Sequence, residues 1–145
     1  STIRLQAKKV RAKSEMSAII TAIKSYDATY GVYPTPTGWI NGNTDAKYSD
    51  IMTLLTDVLA PSTEAAYTNG NSRNIKFLDV PNDYSTANYL DPWSNYYKIY
   101  IDTDYDGQVT VSGGDSSHNG IKYGEIFIYS TANNDSSTSN YVYSW

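Results

Sequence analysis

A chain of 145 residues with a formal charge of −4 and no cysteine corresponds to one domain, and it excludes disulfides, thiolate metal sites and thiol catalysis. The charge is uneven, because residues 1–13 hold five of the eleven basic side chains and none of the fifteen acidic ones. An acidic body repels nucleic acid phosphates and attracts divalent cations, so we expect no nucleic acid partner. No apolar run is long enough to span a bilayer.

The first predicted element is a long amphipathic helix from Ile3 to about Tyr30. Its apolar residues recur at spacings of three and four, and Gly31 follows as a stop signal. We expect residues before about Val10 to protrude from the domain. Four side chains should pack on the sheet: Met16, Ile19, Ile23 and Tyr26.

The start of this helix has an unusual charge pattern. The basic cluster lies at the N-terminal end, where the helix macrodipole disfavours cations, and only Ser1 or Thr2 could serve as a cap. We therefore expect the helix to continue upstream in the whole protein. A frayed helix behind an expression-tag remnant is the alternative.

A second, shorter helix and a turn-rich segment come next. We expect Ser49 to cap this helix and Pro61 to end it, and Asn69-Gly70-Asn71 predicts a turn. The buried face of the helix should consist of Ile51, Leu54, Leu55, Val58 and Leu59. Three more residues should enter the core beside it: Phe77, Leu78 and Val80.

Three strand-like runs with period-two alternation follow: Tyr96 to Ile101, Gln108 to Val111 and Glu125 to Ser130. The order predicts an α+β fold in which a long N-terminal helix packs on a small antiparallel sheet, with a helical loop between them. Within the single domain 1–145 we distinguish the helix (1–30), the helical variable loop (31–95), and the sheet with the C-terminal loop (96–145).

The sharpest motif is Asp102-Thr103-Asp104-Tyr105-Asp106-Gly107-Gln108. Its three carboxylates can converge on one hard cation, the glycine allows a sharp turn, and the backbone carbonyl of Gln108 can ligate. Gly113 stands where an EF-hand has its bidentate acid, and no helices flank the motif. We predict a calcium site of another kind, completed by Asp115 or a neighbouring carbonyl. A bare hairpin turn rich in aspartate is the alternative.

Other residue patterns give weaker signals for chemistry. His118 is the only histidine, and a triad with Asp115 and a nearby serine can be drawn, but these residue types are ordinary turn formers. We therefore predict no catalytic residues and no enzyme activity. The 15 tyrosines could form a sugar-binding platform, although core or fibre-interface packing is the more common use of this residue.

A set of short motifs occurs in a fixed order along most of the chain. The motifs are the basic helix with Glu15, Ile19, Ala22-Ile23 and Tyr26, then Gly31-x-Tyr33-Pro34, Phe77-Leu78, Asp91-Pro92-Trp93 with Tyr96 and Tyr97, the Asp102 to Gly107 loop, Ile128-Tyr129-Ser130, and Ser144-Trp145. This ordered set resembles the major pseudopilins of type II secretion systems and, more broadly, the type IV pilin-like family. The chain departs from the family pattern at three places: Ser94 replaces a glycine, Ala132 and Asn133 replace the glycine after the Tyr-Ser pair, and Tyr141 replaces an acid.

The resemblance implies a structural subunit of a periplasmic or extracellular pilus-like fibre, such as the pseudopilus of type II secretion. It implies a prepilin leader and an apolar N-terminal helix with a methylated N-terminus, which anchors the protein in the inner membrane before assembly. The implied partners are other copies, minor pseudopilins and the inner-membrane assembly platform. The resemblance does not distinguish a fibre for secretion from one for adhesion, motility or DNA uptake.

In that family the major subunits bind calcium near the C-terminal loop. In this chain such a site would use Ser130, Asn133 and Asp135, but the departures from the pattern favour the loop at Asp102. The alternative function is a calcium-stabilised carbohydrate-binding or adhesion module, for which a long N-terminal helix with a basic start has no evident use.

Overall fold

The computed structural model describes residues 1–56, 70–80, 89–133 and 137–145. In these ranges the chain is α+β, as predicted, with the long N-terminal helix followed by a second helix and small antiparallel sheets. The helices are α1 (Thr2–Tyr30) and α2 (Asp45–Thr56). The strands are β1 (Lys98–Ile101), β2 (Gln108–Val111), β3 (Gly120–Tyr123), β4 (Ile126–Ser130) and β5 (Val142–Tyr143), with a 3-10 turn at Thr138–Asn140.

Helix α1 begins and ends where the sequence predicts. The Ser1 hydroxyl accepts the N–H of Arg4 at 3.3 Å, and Gly31 closes the helix in the left-handed region (φ 75°). At its start Ile3 is 82% exposed and Val10 is 68% exposed, but the turns do not protrude freely as predicted, because the Lys8 ammonium lies 5.6 Å from the centre of the Trp93 ring. The four residues predicted to pack on the sheet are all fully buried, together with Ala12 and Ala22. No helix in the described ranges is both long and apolar enough to cross a membrane.

The strands form two antiparallel sheets rather than the single sheet predicted. One has the order β1-β4-β5, and the other pairs β2 with β3. Strand β4 is buried along its whole length because Ile126 and Ile128 join the core under α1, while Phe127 and Tyr129 pack with the inward valines of β2. The three-stranded sheet is therefore covered by α1 on one face and by the β2–β3 pair on the other.

The free edge of β1 is occupied by the segment 41–43. The Asn41 side chain both accepts the N–H of Ile101 and donates to its carbonyl, at 2.9 Å each. Asn43 accepts the N–H of Ile99 at 2.9 Å, and the Gly42 N–H donates to the Ile99 carbonyl at 3.0 Å. These contacts satisfy the outward-facing backbone groups of β1.

Helix α2 starts earlier than predicted. It begins at Asp45, because the Thr44 carbonyl accepts the N–H of Tyr48 at 2.9 Å; the predicted cap, Ser49, lies inside the helix and its carbonyl accepts the Thr53 hydroxyl. The predicted face is buried at Ile51, Leu54 and Leu55. Val58, Leu59 and Pro61 lie outside the described residues.

The turn predicted around Gly70 is present within the described residues 70–73, and it is built on Asn71. This fully buried side chain donates to the carbonyls of Leu54 and Ile75 at 3.0 and 2.7 Å, and it accepts the Tyr30 hydroxyl and the Ile75 N–H at 2.6 and 3.2 Å. The predicted core entry is confirmed, since Leu78 is buried and Phe77 and Val80 pack against the core.

Candidate metal centre

The loop 102–107 connects the end of β1 to the start of β2. These strands belong to different sheets and are not paired with each other, so the loop is not the hairpin turn that the sequence offered as the alternative. The loop instead contacts the turn before β4: the Asp102 N–H donates to the Glu125 carbonyl at 2.8 Å, and the Gly124 N–H donates to the Gly107 carbonyl at 3.0 Å. It therefore lies at a junction of the two sheets.

Asp102 is the buried member of the motif, with 4% of its surface exposed. Its Oδ1 accepts the N–H of Asp106 at 3.1 Å and its Oδ2 accepts the N–H of Gly107 at 2.8 Å. Burial by itself would raise the pKa of Asp102, but these donated N–H groups stabilise the carboxylate and the pKa is lowered overall. Asp102 is therefore held ionised in a fixed orientation.

Asp104 and Asp106 complete the group from the exposed side of the loop. One oxygen from each of the three aspartates lies within 4.8 Å of the other two. Oxygens that ligate one calcium ion at about 2.4 Å can be no more than about 5 Å apart, so this spacing fits a shared ion. The Asp104 carboxyl meets that of Asp102, and this contact raises the pKa of Asp104.

The fourth predicted ligand, Gln108, is the first residue of β2 and is exposed beside the group. Its amide nitrogen donates to Asp106 Oδ2 at 3.2 Å, and its backbone N–H donates to Asp106 Oδ1 at 3.0 Å. Both bonds orient Asp106. The three aspartates, Gln108 and Asn41 line a cavity of about 350 Å³.

Sequence reasoning missed Asn41, which lies 60 residues from the strand end that it contacts. Nothing in the local sequence distinguishes it from the other polar loop residues around it. Both ends of its amide are engaged by Ile101, so it fixes the backbone from which Asp102 emerges. We regard it as a positioning residue of the loop.

Tyr105 ties the loop to the C-terminal end of α1. Its hydroxyl donates to Asp27 Oδ1 at 2.7 Å and accepts the Tyr33 N–H at 3.2 Å, while the two tyrosine rings stack with centroids 4.9 Å apart. Burial and the hydrogen bond to Asp27 raise the pKa of Tyr105 to about 12. The loop is thus anchored on the long helix as well as on both sheets.

The second set of predicted ligands lies at the opposite end of β4. Ser130 is buried, its hydroxyl donates to Asp91 Oδ2 at 2.5 Å, and it accepts the N–H of Ala132 at 3.1 Å. Asn133 is exposed, and Asp135 lies outside the described residues. Ser130 therefore takes part in the hydrogen bonds that hold the Asp91 segment.

Asp115, the predicted completing ligand, lies at the far end of β2 and does not join the group. Its Oδ1 contacts His118 Nδ1 at 2.7 Å and accepts the Ser117 hydroxyl at 2.8 Å, and the contact with His118 lowers the pKa of Asp115. Ser117 Oγ also meets the same ring nitrogen, at 3.2 Å. A Ser-His-Asp triad needs the two partners on different nitrogens, so these residues are not arranged as one.

No family model, curated protein or solved structure matches this chain. The chemistry of the site is therefore argued from its own atoms. Three carboxylates with oxygen donors and no nitrogen or sulfur ligand suit a hard divalent cation. Such an ion would neutralise the negative charges of Asp102 and Asp104, which lie in contact, and it would link the two sheets to α1 through the loop.

Proposed function

We propose that this chain is the globular part of a structural subunit of a pilin-like fibre, located in the periplasm or at the cell exterior. The observation that carries the proposal is the layout of α1. Residues from Ala12 onward bury one helical face against the sheet, while Ile3 and Val10 on the first turns are exposed. Burial of these apolar side chains against a neighbouring copy would be favourable.

Backbone geometry at two positions supports the same proposal. Ser94 and Ala132 have φ values of 67° and 51°, in the left-handed region where glycine is favoured. These are the positions at which the resemblance to pilin-like proteins leads one to expect glycine. In this chain other residues therefore stand at two positions where the backbone takes a conformation that favours glycine.

The Asp91-Pro92-Trp93 segment supports it as well. Asp91 is 3% exposed, and its Oδ1 accepts the N–H groups of Trp93 and Asn95 at 2.9 and 2.8 Å. Its Oδ2 accepts the hydroxyl of Ser130 at the end of β4. Asp91 therefore stabilises the turn that follows it and connects this turn to the end of β4.

In this proposal the loop 102–107 has a stabilising role, with calcium as the ion. Asp102, Asp104 and Asp106 would be its ligands, and Gln108 would orient Asp106. An ion here would fix the junction between the sheets and the end of α1, which keeps the domain in one arrangement within a fibre.

Photo-cross-linking from the start of α1 tests the fibre proposal. A photoreactive amino acid would replace Ile3 in the complete gene product, expressed in its own cells, with Tyr123 as the matched control. The two residues are 82% and 84% exposed, but Tyr123 lies on the β2–β3 layer opposite α1. We expect position 3 to give a ladder of multimers and position 123 to give mainly monomer. Cross-links from position 3 that contain no second copy would contradict the proposal.

A further inference from the structure

A cleft of about 330 Å³ lies between the first turns of α1 and the C-terminal residues. Its helical side presents Gln6, Lys9 and Lys13, and its other side is rich in aromatic rings, including Tyr141 and Trp145. The volume is that of a small-molecule site. The cleft is separate from the loop 102–107, with which it shares no lining residue.

The cleft is cationic although the chain as a whole is acidic. Lys9 and Lys13 are four residues apart and so lie on one face of α1. Among the described residues, no carboxylate comes within 4.0 Å of either ammonium group, and no acidic side chain lines the cleft. Two uncompensated cations in a concave site attract an anion.

The rings on the aromatic side of the cleft pack closely on one another. The His118 ring stacks on Tyr143 with centroids 3.6 Å apart, and Asp115 holds its Nδ1 at 2.7 Å, which leaves Nε2 as the ring nitrogen that can meet a ligand. Trp145 packs edge-on against His118 and Tyr143. Its indole N–H is buried and has no hydrogen-bond partner among the described residues.

We propose that this cleft binds a short saccharide that carries a carboxylate. The ammonium groups of Lys9 and Lys13 bind the carboxylate, because charge-assisted hydrogen bonds are the stronger kind. Aromatic side chains present apolar faces to the C–H side of a sugar ring. Gln6 and the Tyr141 hydroxyl supply donors and acceptors for the sugar hydroxyls.

The combination of these groups favours a sugar acid over simpler anions. Inorganic phosphate would use the two lysines but not the rings, and a neutral sugar would use the rings but not the lysines. A nucleic acid strand would meet the acidic remainder of the chain, which repels a long polyanion. A single uronate ring offers a carboxylate to the two lysines and a C–H face to the aromatic rings.

Titration with digalacturonate tests the proposal, followed by the indole N–H signal of Trp145 in an NMR spectrum. The signal is assigned by its loss in Trp145→Phe. The cleft variant carries Lys9→Gln and Lys13→Gln, and the matched control carries Arg4→Gln and Lys8→Gln, which remove the same charge from residues outside the lining.

We expect a saturable shift in the wild-type chain and in the control, and at least about a tenfold weaker affinity in the cleft variant. The shift should also weaken as salt is raised. The neutral digalactose and inorganic phosphate are the comparison ligands, and neither should reproduce the shift.

Three results would overturn the proposal: equal affinity in the cleft variant and the wild type, an equal response to digalactose, or an equal response to phosphate. The measurement uses the single chain and involves no assembly. Its failure would therefore leave the fibre proposal standing, and failure of the fibre proposal would leave this one standing.

Discussion

Replacing Asp104 with asparagine should have opposite effects on thermal stability with and without calcium. Asp104 is exposed, and its carboxyl meets that of Asp102. In the chelated protein, Asp104→Asn removes a like charge from this contact, so the melting temperature should stay the same or rise slightly. In calcium, the same change removes one of three carboxylate ligands, so the melting temperature should fall relative to the wild type.

The size of the calcium effect follows from binding to the folded state alone. At a hundred times the dissociation constant, an ion adds about 2.7 kcal/mol to the free energy of unfolding. For a domain near 150 residues this raises the melting temperature by roughly 5 to 10 °C. A weak extracellular-type site, with a dissociation constant of about 10⁻⁴ M, reaches this ratio at about 10 mM calcium.

Circular dichroism melts in chelator and in calcium would measure both effects. Asp79→Asn is the matched control, because it also removes an exposed carboxylate, but one that lies outside the loop. The control should keep the full response to calcium and Asp104→Asn should lose most of it. A wild-type melt that calcium leaves unchanged, or an Asp104→Asn melt that responds as the wild type does, would refute the assignment of the ion to this loop.

Two further substitutions test the packing around α1. Burial has the largest effect on Glu15 and raises its pKa, although Arg11 and the Tyr97 hydroxyl act in the opposite direction. Because the pKa is raised in the folded state, Glu15 contributes to the free energy of unfolding below its unfolded pKa near 4.5. This contribution is lost as pH rises through the folded pKa. Glu15→Gln should therefore melt progressively higher than the wild type as pH rises from about 4 to about 7, and a constant difference would contradict this. Asn71→Ala should lower the free energy of unfolding by about 3 kcal/mol in urea denaturation, since the four hydrogen bonds of a buried side chain are lost. Ser72→Ala changes an exposed neighbour and should have little effect, and equal effects of the two substitutions would argue against this role of Asn71.

The sequence was most informative where the structural signal is local. The bounds of α1 follow from apolar spacing and from Gly31, whose left-handed conformation ends the helix. Strand β2 follows from alternation, since Val109 and Val111 are buried while Gln108 and Thr110 are exposed. In these cases each residue's neighbours along the chain are enough to determine which way it faces.

Strands β3 and β5, which were not predicted from the sequence, lack such a signal. Strand β3 exposes Ile121 and Tyr123, so no inward and outward alternation marks it, and β5 has only two residues. The division into two sheets depends on which strands pair, and that is a property of distant segments. Ser49 was misjudged as a cap because Thr44 supplies the same chemistry one turn earlier.

The acidic loop was predictable as a group but not as a structure. The spacing of Asp102, Asp104 and Asp106 correctly predicts that their oxygens converge. Nothing local predicts that Asp102 is buried, or that Tyr105 reaches Asp27 on α1. Both features arise from packing between elements that lie far apart in the sequence.

The side chains of Asn41 and Asn43 affect how copies of this protein can associate. The amide N–H groups of Ile99 and Ile101, which an incoming strand would need, are already bonded to them. A second molecule therefore cannot extend the three-stranded sheet from the β1 edge by backbone pairing without first displacing both asparagines. The β1 edge should accordingly not seed cross-β aggregates during storage or at high concentration.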